Sequence, residues 1–392
     1  MTKSDTKLCQ PARIVFATLL LGALLSGCSS TPETPASVST EKLSSVEATK
    51  AQPTPVPEPV AERQPPEGTI IISAAGDIML GTDYPANRLP DDDGVSFLQH
   101  VTPLLQQADV AFGNLEGVLL DGGEPEKTCS NPKACYLFRS PTRYAQLLAD
   151  AGFDAMSLAN NHALDFGEVG RDSSMLALSQ AGIHHSGREG DIASWEHNGW
   201  RIGLIAFSPT KGSFDLIDYH KFLPLIQSMA ESNDVLIVSF HGGAEGKDGV
   251  ERLAFGMEHA YGERRGDVVD FSRAMVDAGA DLVIGHGPHI PRAMEIYQNR
   301  LIAYSLGNFA TYYGISVAGS KGYAPLLTVE LNNRGEFNGG QIDSFVQRRP
   351  GGPAPDTKQR AMNMIKELSR ADFPDTSLVI DHQGTLSLKA TP

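Results

Sequence analysis

From Thr69 onward, short apolar runs recur along the chain, each closed by a polar or glycine-containing turn. Runs at 69–75, 109–112, 153–158, 200–207, 234–240 and 281–284 are rich in aliphatic and β-branched residues and show little alternation. That pattern predicts strands buried on both faces, as in a parallel sheet. Between them, residues 94–107, 139–151, 167–181 and 266–278 carry apolar positions at helical spacing. Segments 293–297 and 301–304 flank Gln298-Asn299-Arg300 and predict a hairpin, and 326–331 and 339–346 add antiparallel strands. Residues 348–358 read as a loop, 358–370 as a helix, and 377–381 with 385–389 as a last small hairpin. Strands alternating with helices predict a layered α/β domain without internal repeats.

The first 67 residues break this pattern. Lys3, Lys7 and Arg13 precede a short apolar stretch, Ile14–Leu25, and then Leu25-Ser26-Gly27-Cys28. The layout is that of a bacterial secretory signal over residues 1–27. It resembles a lipoprotein signal, in which Cys28 is lipidated; an uncleaved anchor is the alternative, but the stretch falls short of the ~20 residues a span needs. Residues 28–67 are rich in Ser, Thr, Pro, Glu and Ala and read as a disordered tether. The expected layout is signal, tether, a folded domain at 68–347 and an extension at 348–392. The expected location is the cell envelope, on the outer membrane facing the periplasm if the source is Gram-negative.

Composition narrows the partners. Formal net charge is −15, and loss of residues 1–27 would take it to −17. Nucleic acid is therefore not an expected partner. Of four cysteines, Cys9 leaves with the signal and Cys28 takes lipid. Cys129 and Cys135 remain, and in an exported chain a disulfide is the default. A metal site is the alternative, but no second Cys or His pair stands beside them.

The polar residues that close the strands carry the chemistry. Asp77 lies in Gly-Asp-Ile-Met, Glu116 in Gly-Asn-Leu-Glu beside Asn114, and Asn160-Asn161-His162 follows the 153–158 run. His241 lies in Ser-Phe-His-Gly-Gly with Glu245 four residues on, and His286 and His289 lie in Gly-His-Gly-Pro-His. Ligands bind beyond the carboxyl ends of strands in open α/β sheets. Asp, Glu, Asn and His gathered there suit one or two divalent metals, with Mn, Fe, Zn and Mg as candidates. A neutral Asn carbonyl can ligate metal, and a neighbouring His can move a proton. Each motif alone also suits a capped turn or strand end. Ser305 and Asn308, in Ser-Leu-Gly-Asn-Phe, suit substrate hydrogen bonds or a turn at Gly307.

In order and spacing, these motifs over about residues 69–315 resemble the CapA family of capsule or poly-γ-glutamate synthesis proteins. That family is similar to the calcineurin-like metallophosphoesterases, which implies a β-sandwich of two sheets flanked by helices. The resemblance implies Asp77, Glu116, Asn161, His241, His286 and His289 as metal ligands and His162 as the acid or substrate contact. Asn114, Asn160, Glu245, Ser305 and Asn308 would support the ligands or touch substrate. Phosphoesterases carry Asp-x-His on the first strand, where this chain has Met79, a soft thioether ill suited to a hard cation. The ligand set then reads as that of one tight metal, or of none. Many family members also have Trp after the strand-end His, where this chain has Gly242. Two functions follow: a metal-dependent hydrolase acting on an anionic envelope polymer, or a non-catalytic factor that binds the polymer or its synthase complex.

Overall fold

The computed structural model describes residues 64–128, 135–246 and 250–390. The signal, Cys28, all but the last four residues of the tether, and Cys129 lie outside them. Two β-sheets dominate the described residues. The larger has the order Leu378–Ile380, Thr385–Leu388, Phe337–Gln347, Tyr323–Asn332, Thr69–Met79, Val110–Leu115, Ala155–Ser157, His184–Ser186. From Thr69–Met79 to His184–Ser186 its strands run parallel. In the second sheet, Trp200–Ser208, Val235–His241, Leu282–His286 and Arg300–Ala303 run parallel. Its edges are antiparallel additions, Ala193–His197 and Met294–Tyr297.

Period-two placement of side chains explains the unbroken apolar runs. Val235 and Ile237 point into a core shared with Ile70, Ile72, Phe112, Leu282 and Leu301, drawn from both sheets. Leu236, Val238 and Phe240 point outward onto Ile226 and Phe271 of the covering helices, Leu223–Ser232 and Val268–Asp277. Helices Tyr144–Asp150 and Gly167–Gln180 cover the outer face of the larger sheet through Leu148 and Leu178. Each Ile or Leu buried in this way contributes roughly 1.5–3 kcal/mol. The result is the expected sandwich of two sheets with helices outside.

Several elements differ from the sequence reading. Residues 94–107 form turns and a single helical turn, Thr102–Leu105, because Pro103 inside a longer helix would clash with the preceding turn. The helix expected at 139–151 starts at Tyr144, while Arg139–Ser140 pairs with Val118–Leu119. Helix Leu223–Ser232 and the strands His184–Ser186, Ala193–His197 and Asn308–Thr311 were not anticipated. Residues 348–390 pack on the sandwich. Helix Arg360–Asp372 sends Met362 and Ile365 into the core between the sheets, and Ser369 Oγ accepts the Met294 N–H at 2.8 Å. The Leu378–Ile380 and Thr385–Leu388 hairpin extends the larger sheet.

One local feature positions the site. The first strand pairs with Tyr323–Asn332 as far as Ala75, then with Asn308–Thr311 from Asp77, with a register shift on each side. At the change of partner, Gly76 lies so close to the chain that a Cβ there would stand 1.9 Å from Gly307 O. Only glycine permits that approach. It leaves Asp77 level with Asn114 on one side and Asn308 on the other.

Candidate metal centre

The carboxyl ends of both sets of parallel strands meet at one end of the sandwich. Asp77, Asn114 and Glu116 arrive from the larger sheet, and His241 and His286 face each other in register on adjacent strands of the smaller one. Asn161 and His162 come from the loop after Ala155–Ser157, and His289 from the Gly-Pro turn after His286. His289 has φ of 60°, a left-handed conformation uncommon for a side-chain-bearing residue.

Two groups of side chains form here, and they differ in how they are satisfied. In the first, Asn114 Nδ2 donates to Asp77 Oδ1 at 2.9 Å, and His289 Nδ1 lies 2.9 Å from Asp77 Oδ2 and 3.0 Å from Asn308 Oδ1. In the second, both carboxylate oxygens of Glu116, Asn161 Oδ1 and all four ring nitrogens of His241 and His286 are buried without a hydrogen-bond partner. His286 Nδ1 stands 3.5 Å from Asp77 Oδ1 without hydrogen-bond geometry. These four residues account for half of the buried unpartnered side-chain atoms among the described residues. Native interiors leave few such atoms, and each costs about 1–3 kcal/mol. A divalent cation takes one lone pair from each imidazole and from carboxylate and amide oxygens, so the donor types present fit a metal, while the second nitrogen of each ring would still need a partner. Asp77, Glu116 and His289 also each offer a donor atom within 4.8 Å of the others.

The electrostatics follow from burial and proximity. Burial opposes charge on Asp77, but the His286 and His289 rings hold its carboxyl far below the usual range. Burial pushes Glu116 well above its usual value; His289 opposes this, while Asp77, Glu245 and Asp165 reinforce it. Burial lowers His241 strongly. Burial would also lower His289, but Glu116, Asp77 and Glu245 outweigh it and raise it. Burial would raise Glu245, yet His289 and Arg265 bring it down to about 2.

His162 is held differently. Its Nδ1 lies 2.7 Å from Asp165 Oδ2, Phe138 packs on its ring at 4.3 Å, and its Nε2 faces Glu116 Oε1 at 3.9 Å. Asp165 also accepts Lys127 Nζ at 2.8 Å and the Phe138 N–H at 2.8 Å. Burial lowers His162 despite Asp165. With Nδ1 against Asp165, Nε2 is the ring nitrogen that faces the cluster.

The remaining sequence candidates are placed as follows. Asn160 is fully buried and donates to Leu115 O at 2.8 Å, while its own oxygen accepts the His162 N–H at 3.0 Å, which pins the ligand loop. Ser305 Oγ donates to Ile290 O at 2.7 Å and accepts the Gly307 N–H at 3.1 Å. Asn308 donates to Ser316 O and Lys321 O, tying His289 to the wall of the adjacent cleft. Glu245 reaches His289 Nε2 at 3.5 Å rather than His241, and is held by Tyr261 and Arg265. Met79 is buried in a small apolar cluster with Phe138 and Ile315. A Cβ at Gly242 would stand 2.7 Å from the backbone oxygen of Arg265, so a larger residue would force the chain to shift there. Asp165, three residues after His162, was visible in the sequence as a polar neighbour; Lys127 gave no signal.

A cleft of about 560 Å³ opens onto Glu116, His162, Glu245 and His289. Residues 71–313 match the family model for the bacterial capsule synthesis protein PGA_cap. The chain belongs to that family. It is 25% identical to the PGA biosynthesis protein CapA of Bacillus subtilis over 76% of this chain and 77% of that one. It is 27% identical to the capsule biosynthesis protein CapA of Bacillus anthracis, covering 67% of this chain and 64% of that one. A probable polyglutamine synthesis accessory protein of Mycobacterium tuberculosis is 27% identical, over 61% of this chain and 63% of its own length. The chain thus spans less than two thirds of the last two relatives. Among solved structures, the 5′-nucleotidase precursor of Thermus thermophilus superposes with a TM-score of 0.38 at 13% identity, over 78% of this chain and 59% of that one.

Proposed function

We propose that this PGA_cap family member is a metal-dependent hydrolase of envelope-polymer synthesis. The observation that carries the reading is the set of buried, unpartnered donors on Glu116, Asn161, His241 and His286, of which Glu116 opens onto the cleft with His162 and His289. A divalent cation held there would polarise a carbonyl or phosphoryl oxygen and make water a better nucleophile. His162, oriented through Nδ1 by Asp165, would exchange a proton with the reacting group at Nε2. Asn160 and Asn114 fix the loop and the Asp77 carboxylate around it.

The substrate reading comes from the cleft walls. Arg88, Lys321 and Arg349 line it, interleaved with Tyr84, Tyr136 and Tyr313. Arg349 is stacked 5.0 Å over the Tyr313 ring. On a chain of net charge −15 this is a local reversal of sign, suited to an anionic chain. An anionic envelope polymer such as poly-γ-glutamate, delivered by a synthase complex, fits it. Lipid on Cys28 would hold the domain at the membrane, and a disulfide would join Cys129 to Cys135, which lines the cleft. Among the described residues no helix is long and apolar enough to cross a membrane.

The burial of Met79 favours a second reading, a polymer-binding factor that retains the cleft without turnover. Metal-loaded and chelator-stripped protein, assayed on phosphodiesters and γ-glutamyl oligomers, separates the two. Hydrolysis only when loaded supports the enzyme. Binding of oligomer without product in either state contradicts it.

A further inference from the structure

We infer that the site binds its anionic chain on both sides of the Asn161–His162 loop. A second cleft, on the Asn161 side, takes the continuation of the chain whose other part lies in the first cleft, so the polymer is engaged at an internal residue rather than at an end. This deepens the anionic-polymer reading above and rests on it.

The second cleft has a volume of about 620 Å³, and Asn161, Thr210, Lys211, Arg264 and Arg265 stand on its walls. It shares no lining residue with the first cleft, yet two pairs of neighbours straddle them. Asn161 lines the second, and the next residue, His162, lines the first. Arg265 lines the second and donates from Nη2 to Glu245 Oε2 at 3.4 Å, and Glu245 lines the first. The hairpin of Glu258–Ala260 and Glu263–Gly266 carries both walls: Tyr261 at its turn lines the first cleft, and Arg264 and Arg265 line the second. The Arg265 carbonyl also accepts the Gly243 N–H at 2.8 Å, which ties this hairpin to the loop after His241. A site for a chain end would be closed on one side of the loop; here a cleft opens on each.

The chemistry of the second cleft matches that of the first. Lys211 and Arg264 are exposed, while Arg265 is buried at 3% exposure and its Nε has no hydrogen-bond partner. Glu263 Oε2 stands 3.7 Å from that Nε, beyond hydrogen-bond range. A guanidinium with an unmet N–H at the wall of a cleft suits a carboxylate arriving there. Asp215, the other acidic residue lining this cleft, accepts the Ile217 N–H at 2.8 Å within its own turn. Three cations against two carboxylates leave the cleft net positive on a chain of net charge −15. The loop bearing Lys211 is also held in place. Thr210 Oγ1 donates to Asn160 O at 3.0 Å, and the buried Arg171 donates to Lys211 O and Gly212 O, each at 3.0 Å. One chain spanning both basic walls gains affinity, because its second contact is intramolecular.

Fluorescence anisotropy of a labelled γ-glutamyl dodecamer on the full chain at low salt reads the second cleft without depending on turnover. In Lys211→Ala/Arg264→Ala, which alters two exposed side chains, affinity is expected to fall about tenfold. Arg370→Ala/Lys389→Ala removes the same charge outside both clefts and should cause no comparable loss. Wild-type affinity in the Lys211/Arg264 variant, or equal losses in the two double variants, would overturn the second subsite and leave the first-cleft reading intact. No binding of the dodecamer by the wild type would overturn the anionic-polymer reading and this inference together, so the two failures are distinguishable.

Discussion

His162 and Asp165 form a buried pair, Nδ1 to Oδ2 at 2.7 Å, and Lys127 Nζ closes on the other Asp165 oxygen at 2.8 Å. The carboxylate fixes which ring nitrogen is free and points it at Glu116. Lys127 also donates to Asn161 O at 3.0 Å, so one side chain braces the ligand loop and the proton-transfer residue together.

Asp165→Asn keeps the shape and removes the charge that holds the His162 tautomer. Turnover is expected to fall by about 10²-fold, with KM little changed. The pH–rate profile of the variant checks this. An unchanged profile would show that Asp165 is a structural anchor alone.

Arg349→Ala removes a cation from the cleft wall without touching the ligand set. Binding of an anionic oligomer should weaken by about fivefold at low salt, and the difference should shrink as salt screens it. Fluorescence anisotropy of a labelled γ-glutamyl oligomer at two ionic strengths measures both effects. Metal content should stay the same.

Gly76→Ala tests the partner change in the first strand. The added Cβ would meet Gly307 O at 1.9 Å, and both atoms belong to backbone with little room to shift. A stability loss of about 1–3 kcal/mol is expected from overpacking, read by thermal melting. Metal uptake should weaken with it, because Asp77 is the next residue.

Asp281 gives a pH signature far from the metal. Burial raises its carboxyl from 3.8 to about 6, although Leu236 N–H and Arg300 favour the charged form. Below pH 3.8 the group is protonated in both the folded and unfolded chains and its stabilising contribution is fully present. As pH rises from 3.8 to about 6, the unfolded chain releases this proton first, so that contribution is lost; above about 6 it changes no further. Asp281→Asn should flatten this part of the stability curve, measured by denaturant unfolding across the window.

The fold and the positions of the cluster were legible because buried parallel strands read as apolar runs and strand-end polar residues stand out after them. Asp77, Glu116, Asn161, His241, His286 and His289 all stood out on that basis. What the sequence could not show was which of them satisfy each other. That depends on register, such as His241 opposite His286 and Asp77 level with Asn114, and register is a tertiary property. Ala193–His197 escaped notice because an edge strand with alternating exposed residues carries little apolar signal. The partnership of Lys127 with Asp165 spans 38 residues and leaves no local pattern. Met79 was visible as a departure, but only its packing with Phe138 and Ile315 shows what the position does instead.

The most direct test of the account is the rate of product release from phosphodiester and γ-glutamyl oligomers by metal-loaded protein, compared with His162→Ala. The account predicts metal-dependent turnover in the wild type and a loss of about 10²–10⁴-fold in the variant at unchanged metal content. No turnover in the metal-loaded wild type, or equal rates in the two proteins, would contradict it.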